Sequence, residues 1–233
     1  MNLRLRSFFL MVLLLGSFFS CKTLEDIDLA QEQPLVRLTR GACFGRCPIY
    51  ECTVYNSGIV TFEGQRNTPK LGLWIKRLPD AQMAKLKNQL AETNLWQYES
   101  FFRSRIADAP LIKIEQFEDG ASKMVAGKEN RPEPVLLLQD MLEQIAEGNP
   151  DTWTVRKPFD YNLPKGAKPG EIYVQLAPNI YVRNWIQGYA RQGLRVAESL
   201  EDRSNYFLLQ FDPTIAFPSE MERFFAYDDA VIY

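Results

Sequence analysis

Residues 41–52 read GACFGRCPIYEC, three cysteines within twelve residues of a 233-residue chain that has no histidine. Clustered cysteines serve three chemistries: a reactive thiol, a metal site, or a disulfide. A reactive thiolate needs a helix N-terminus or neighbouring positive charge to stabilise it. Here Cys47 runs into Pro48 and a strand pattern, which leaves only Arg46 nearby. A nucleophilic cysteine also needs a base, and the usual histidine is missing. For a metal, spacings of four and five residues supply no fourth ligand and lack the paired Cys-x-x-Cys arrangement. The third reading is a disulfide between Cys43 and Cys47 in an exported, oxidising setting, with Cys52 as a small buried hydrophobe. Gly41 and Gly45 permit the tight path that brings two α-carbons to the ~5.5 Å a disulfide requires. Pairing with Cys52 stays open at this level.

Other constellations reduce to structure. Arg40, Gly41, Gly45 and Arg46 could cradle an anion, but the spacing is not that of a P-loop and Lys-Ser/Thr is lacking, so a solvated basic loop is expected. The aromatics in Asn94–Phe102 (NLWQYESFF) could form a binding surface, yet they read first as a chain reversal covering the core after a helix. Asp108, Glu115, Glu118 and Asp119 show no spacing that singles out a general acid and base, and Glu118 and Asp119 belong to a turn. Val182, Trp185, Ile186 and Tyr189 read as the core face of a helix, not a cofactor box. The sequence therefore nominates no catalytic residue, no metal ligand and no cofactor.

The formal charge is -2, and loss of Arg4 and Arg6 with a cleaved leader would make it -4, a balance that does not favour nucleic acid. That leader, MNLRLRSFFLMVLLLGSFFSC, has a short basic start and then an uncharged, mostly apolar stretch from Ser7 to Ser20. It reads as an export signal, too short to span a ~30 Å hydrocarbon core comfortably at about 1.5 Å per residue. Phe18-Phe19-Ser20-Cys21 resembles a bacterial lipoprotein processing box, although Phe18 and Phe19 stand where aliphatic and small residues are more usual. The resemblance implies cleavage after residue 20, acylation (palmitate) of Cys21, and anchoring by several chains where one would not hold. Lys22 after the cysteine resembles lipoproteins forwarded to the outer membrane, facing either the periplasm or the cell surface.

Behind the anchor, residues 21–33 are polar and acidic and read as a flexible tether. Leu35, Val36 and Leu38 begin a strand. PIYECTVY alternates with Tyr50, Cys52 and Val54 on one face, and Asn56-Ser57-Gly58 turns the chain into IVTFEG. A helix from Pro79-Asp80 carries Met83, Leu86 and Leu90 and ends near Asn94. LIKIEQF and ASKMVAG form a second hairpin across Glu118-Asp119-Gly120, and a second helix carries Val135, Leu138, Met141, Leu142 and Ile145 up to Gly148. Prolines 158, 164 and 169 and glycines 166 and 170 mark residues 151–170 as a linker or an irregular packed arm. Residues 171–233 read strand, helix (about 179–192), strand, strand, helix (about 218–227), strand. The expected fold class is α+β with two small domains: an antiparallel sheet with two helices over 34–150, and a ferredoxin-like β-α-β-β-α-β unit over 171–233.

Two resemblances accompany this plan. Gly41-Ala42-Cys43-Phe44-Gly45-Arg46-Cys47-Pro48, with the strand and Asn56-Ser57-Gly58 turn behind it, resembles a bacterial domain of unknown function, family 6438, over residues 34 to about 148. That family implies no activity. EIYVQLAPNI, GLRV and NYFLLQF in residues 171–233 resemble the prosegment fold of subtilisin-type proteases, in which the sheet packs on the protease and a C-terminal extension fills its cleft. Tyr233 falls at or near the end of the last expected strand, so that extension is not represented. The expected function is a non-enzymatic, lipid-anchored envelope protein that contacts another protein. Modulation of a subtilisin-like protease is the alternative, and a thiol-redox enzyme using Cys43 and Cys47 the remote one.

Overall fold

Alternation along residues 49–55 decides how the large sheet is assembled, because the side chains of Tyr50, Cys52 and Val54 must all leave water together. A computed structural model describes residues 23–199 and 205–232. The expected signal peptide and Cys21 lie outside them. Within the expected tether, Leu24–Asp26 and Leu29–Gln31 form single 3-10 turns, the second capped by Asp28, whose side chain accepts from the Ala30 N–H at 3.1 Å.

The large sheet has eight strands: β1 (Pro34–Arg40), β2 (Ile49–Tyr55), β3 (Ile59–Arg66), β4 (Gly72–Arg77), β5 (Phe101–Phe102), β6 (Ile112–Glu118), β7 (Ala121–Gly127) and β8 (Thr154–Pro158). Their order is β5-β7-β6-β1-β2-β3-β4-β8, antiparallel throughout except for the short β5–β7 pair. Register puts Leu38 opposite both Cys52 and Ile114, so the inward residues of three neighbouring strands meet in one row. Onto that row pack α1 (Asp80–Thr93), through Met83, Leu86 and Leu90, and α2 (Glu133–Glu147), through Val135, Leu138, Leu142 and Ile145. Each fully buried leucine contributes about 1.5–3 kcal/mol over its exposed state. Asn94 closes α1 in the left-handed conformation, φ 47°, its N–H donating to the Leu90 carbonyl at 2.9 Å.

Three of these strands were not apparent in the sequence. In β4 the pleat turns Trp74 and Lys76 toward the helices, a pattern that hides a strand from any search for inward apolar residues. The segment expected as a linker instead begins with β8, which pairs with β4 at the sheet edge, where a terminal proline is tolerated.

The second sheet has three strands, β9 (Glu171–Gln175), β10 (Arg195–Ser199) and β11 (Tyr206–Gln210), in the order β10-β11-β9. Val174, Leu176, Leu209, Phe211, Met221 and Phe225 anchor its core. The expected helix at 179–192 is broken into α3 (Val182–Trp185) and a 3-10 segment, Ile186–Gln192, in which Tyr189 leaves the helical region. Gly188 weakens helix propensity there, and Trp185 and Tyr189 both donate to the Asp228 carboxylate, at 2.8 and 2.5 Å. α4 (Pro218–Ala226) follows, its first turn closed by the Phe217 N–H donating to Glu220 at 3.0 Å. The last expected strand is reduced to one antiparallel bridge, Leu176 with Val231.

The fold is thus mixed α+β, with a large, mostly antiparallel sheet and four α-helices among the described residues. Gln33–Tyr233 forms one compact unit. Within it Arg66 of β3 pairs with Glu220 of α4 and lies 5.5 Å from the Phe217 ring centroid, while Phe159 stacks on Phe217 at 5.2 Å.

Candidate functional site

The cysteine loop occupies the turn between β1 and β2, and four hydrogen bonds fix it. Gly41 N–H donates to the Leu111 carbonyl at 2.9 Å, Phe44 N–H to that of Asp108 at 3.2 Å, and Gly45 N–H to that of Cys43 at 3.0 Å. The Asn67 amide donates to the Cys47 carbonyl at 3.1 Å. Cys43 and Cys47 lie at disulfide distance, with α-carbons 5.8 Å apart, and Gly45 between them takes φ 147°, a value that disfavours a side chain. So short a cross-link adds little chain-entropy stabilisation, about 2 kcal/mol, and acts chiefly on the shape of the loop.

That shape presents one residue. Phe44 at the apex is 89% exposed, and Ile106 on the neighbouring loop is also open to solvent. The basic residues do not converge on a common anion position. Arg40 donates to Glu143 of α2 at 2.8 Å, and Arg46 donates to the Arg191 carbonyl at 2.7 Å. Arg46 therefore ties the loop to the segment preceding β10.

Cys52 is separated from the pair, on the inward face of β2 and fully buried among core residues. Burial pushes its thiol up to about 12, with Lys76 and Lys70 pulling it partway back. Such a thiol is protonated at neutral pH and a poor nucleophile. The carboxylates are likewise engaged or apart: Glu115 accepts from the Ser122 hydroxyl at 2.8 Å and faces Arg37 at 3.8 Å, while Glu118 and Asp119 sit at the β6–β7 turn. Among the described residues no group of three or more Cys, Asp or Glu side chains is disposed to hold a metal ion. Of the Asn94–Phe102 aromatics, Tyr98 and Phe102 pack against the core while Trp96 and Phe101 stand exposed, so that stretch divides between the two expected roles. Val182, Trp185, Ile186 and Tyr189 pack against the second core.

A buried polar layer that sequence reasoning missed lies beneath the C-terminal end of α2. Lys76 Nζ sits 4.2 Å from the Trp153 ring centroid and donates to the Ile145 carbonyl at 2.5 Å. Lys70 Nζ lies 4.7 Å from the Phe62 centroid and 5.4 Å from that of Trp153. Burial, partly offset by Cys52, lowers the Lys76 ammonium to about 8, and burial lowers Lys70 as well. Tyr50 donates to Glu147 at 3.0 Å, and burial followed by the Glu147 and Glu143 charges raises its phenol. The signal available was two lysines bracketing an apolar run, KLGLWIK, at an even spacing that period-two alternation places on one face.

Comparison with known families finds a Domain of unknown function (DUF6438) over residues 34–146. No curated protein matches the chain. The DUF6438 match holds β1 to β7 with both large helices and the cysteine loop, and stops before Trp153 and β8. Edge strand β8 and the indole held between the two buried lysines therefore come from chain outside the matched residues.

Proposed function

We propose that this is a non-enzymatic, lipid-anchored protein of the bacterial cell envelope that uses its DUF6438 domain to contact a protein partner. The observation that carries this reading is Phe44: a large aromatic, almost fully exposed, on a loop fixed by backbone hydrogen bonds and a cysteine pair at disulfide distance. A rigidly presented aromatic loses little freedom on binding, and aromatic anchors of this kind dominate protein interfaces. The anchor is Cys21 with cleavage after Ser20, supported by the leader and its processing box. Among the described residues no helix is long and apolar enough to cross a membrane. In this reading residues 171–233 are a ferredoxin-like portion of the same compact unit as the large sheet, which runs on through β8 to Pro158. Intact-mass measurement of the mature chain tests the anchor: an acylated N-terminal Cys21 supports it, and an unmodified Cys21 removes it.

A second reading rests on the order β10-β11-β9 with Val231 bridged to the free side of β9. That is the strand order of a ferredoxin-like split unit, and Tyr173 stands exposed on the sheet. It supports a prosegment-like domain that modulates a subtilisin-like protease through this sheet. Full-length protein that neither binds nor inhibits subtilisin-type enzymes would eliminate this second reading.

A further inference from the structure

A groove of about 720 Å³ opens at the end of the large sheet opposite the cysteine loop. The C-terminal turn of α1 and the 3-10 turn Leu95–Gln97 form one wall, the β6–β7 turn the other, and the start of β1 with Asn56 the floor. Leu95 is drawn fully into the core, which turns the next side chain, Trp96, outward at 42% exposure. Around that indole the lining is mixed: four amides, Gln33, Asn56, Asn94 and Gln116, with Lys87 and the acidic β6–β7 turn, beside apolar Leu35, Leu90 and Phe117.

Gln116 is the anomalous member. Register places it opposite Val36, in the inward row that begins with Ile112 and Ile114, where an apolar residue would extend the core. Its Oε1 is sealed from solvent and has no hydrogen-bond partner. A buried acceptor without a partner is costly, so the core alone would favour an apolar residue here, and an amide at this position is better accounted for by the groove it lines.

We propose that this groove binds an uncharged saccharide chain. Amide side chains both donate and accept, as sugar hydroxyls do, and the flat indole offers an apolar platform for the carbon face of a pyranose ring. One lysine against Glu118 and Asp119 gives no single-sign field that would select a phosphate or sulfate. An extended peptide is the poorer fit, because β1, β2 and β6 are each paired on both sides and leave no free edge for a further strand.

The test is titration of the full chain, in a detergent without a sugar head group, with cellotetraose and with chitotetraose, followed by calorimetry and saturation-transfer NMR. Saturable binding of either sugar is expected, weakened about tenfold or more by Trp96→Ala and by Gln116→Leu. Gln116→Leu should melt no lower than wild type, which separates lost binding from lost folding. Chitotetraose binding with co-sedimentation on purified cell-wall sacculi assigns the site to wall glycan; cellotetraose binding without co-sedimentation assigns it to a soluble glycan. Failure of both sugars to bind, or binding that both variants retain, overturns the proposal. So does a peptide that crosslinks at Trp96 when neither sugar binds.

Discussion

Lys76 is the perturbation with the most determinate outcome. Its ammonium is buried between the Trp153 ring and the Ile145 carbonyl, and its affinity for a proton falls from 10.5 to about 8. Between those values the unfolded chain holds a proton that the folded chain has released, so stability rises with pH across that window. Below about 8 both states are charged and the full burial cost is present. The complete difference corresponds to about 3 kcal/mol, and relaxation and water penetration around a buried ammonium reduce it to about 1.5 kcal/mol. Lys76→Met removes this titration while also deleting the hydrogen bond to the end of α2, so at neutral pH the two effects oppose and the net change is small. The informative quantity is the change in the difference. Urea unfolding of both proteins, followed by circular dichroism at about pH 7 and pH 10, should show wild type gaining about 1.5 kcal/mol on the variant. A difference that stays flat or falls as pH rises would refute the burial of a charged Lys76 in this site.

Three further outcomes follow from the same geometry. Gly64→Ala should destabilise by more than about 3 kcal/mol in chemical denaturation, because the new Cβ would fall 1.7 Å from the Lys70 carbonyl oxygen, a backbone atom that cannot step aside. Reduction of the Cys43–Cys47 pair, or Cys43→Ser with Cys47→Ser, should cost about 2 kcal/mol in urea unfolding and leave the circular dichroism spectrum unchanged. Asp228→Ala strands the Trp185 and Tyr189 donors and should cost about 2–4 kcal/mol, read as a lowered melting temperature. Burial opposes ionisation of Asp228, but donors from Tyr189, Ala230 and Trp185 outweigh it and hold the carboxyl below its ordinary value. That contribution is therefore present above the ordinary carboxylate range and fades as pH falls through the folded value, a dependence Asp228→Ala should lack.

The parts of the fold visible in the sequence are those in which local pattern and burial agree. Alternation at Tyr50, Cys52 and Val54, the turns at Asn56-Ser57-Gly58 and Asp119-Gly120, and the stripes of α1 and α2 all place apolar residues inward. The missed elements violate that agreement. β4 faces the core with Lys76, which an inward-apolar criterion rejects, and its stability depends on an indole 77 residues away in sequence that only the folded chain brings near. β8 is a five-residue edge strand ending in proline, with Arg156 and Lys157 in its middle. The close approach of Cys43 and Cys47 was readable because loop length and two glycines constrain it locally. The outward aim of Phe44 and the isolated oxygen of Gln116 depend on how distant elements pack, and neither leaves a mark on spacing.

The central claim is that Phe44 anchors a protein partner, and crosslinking in the native membrane tests it most directly. Phe44→Ala removes an exposed ring and should change stability by no more than about 0.5 kcal/mol. As an interface anchor its loss should weaken association by about 2 kcal/mol, roughly thirtyfold. Wild-type protein should therefore yield a discrete crosslinked partner that Phe44→Ala, expressed and localised equally, fails to capture. The same partner captured in equal yield by the variant, or no protein crosslinked to wild type, would contradict the account.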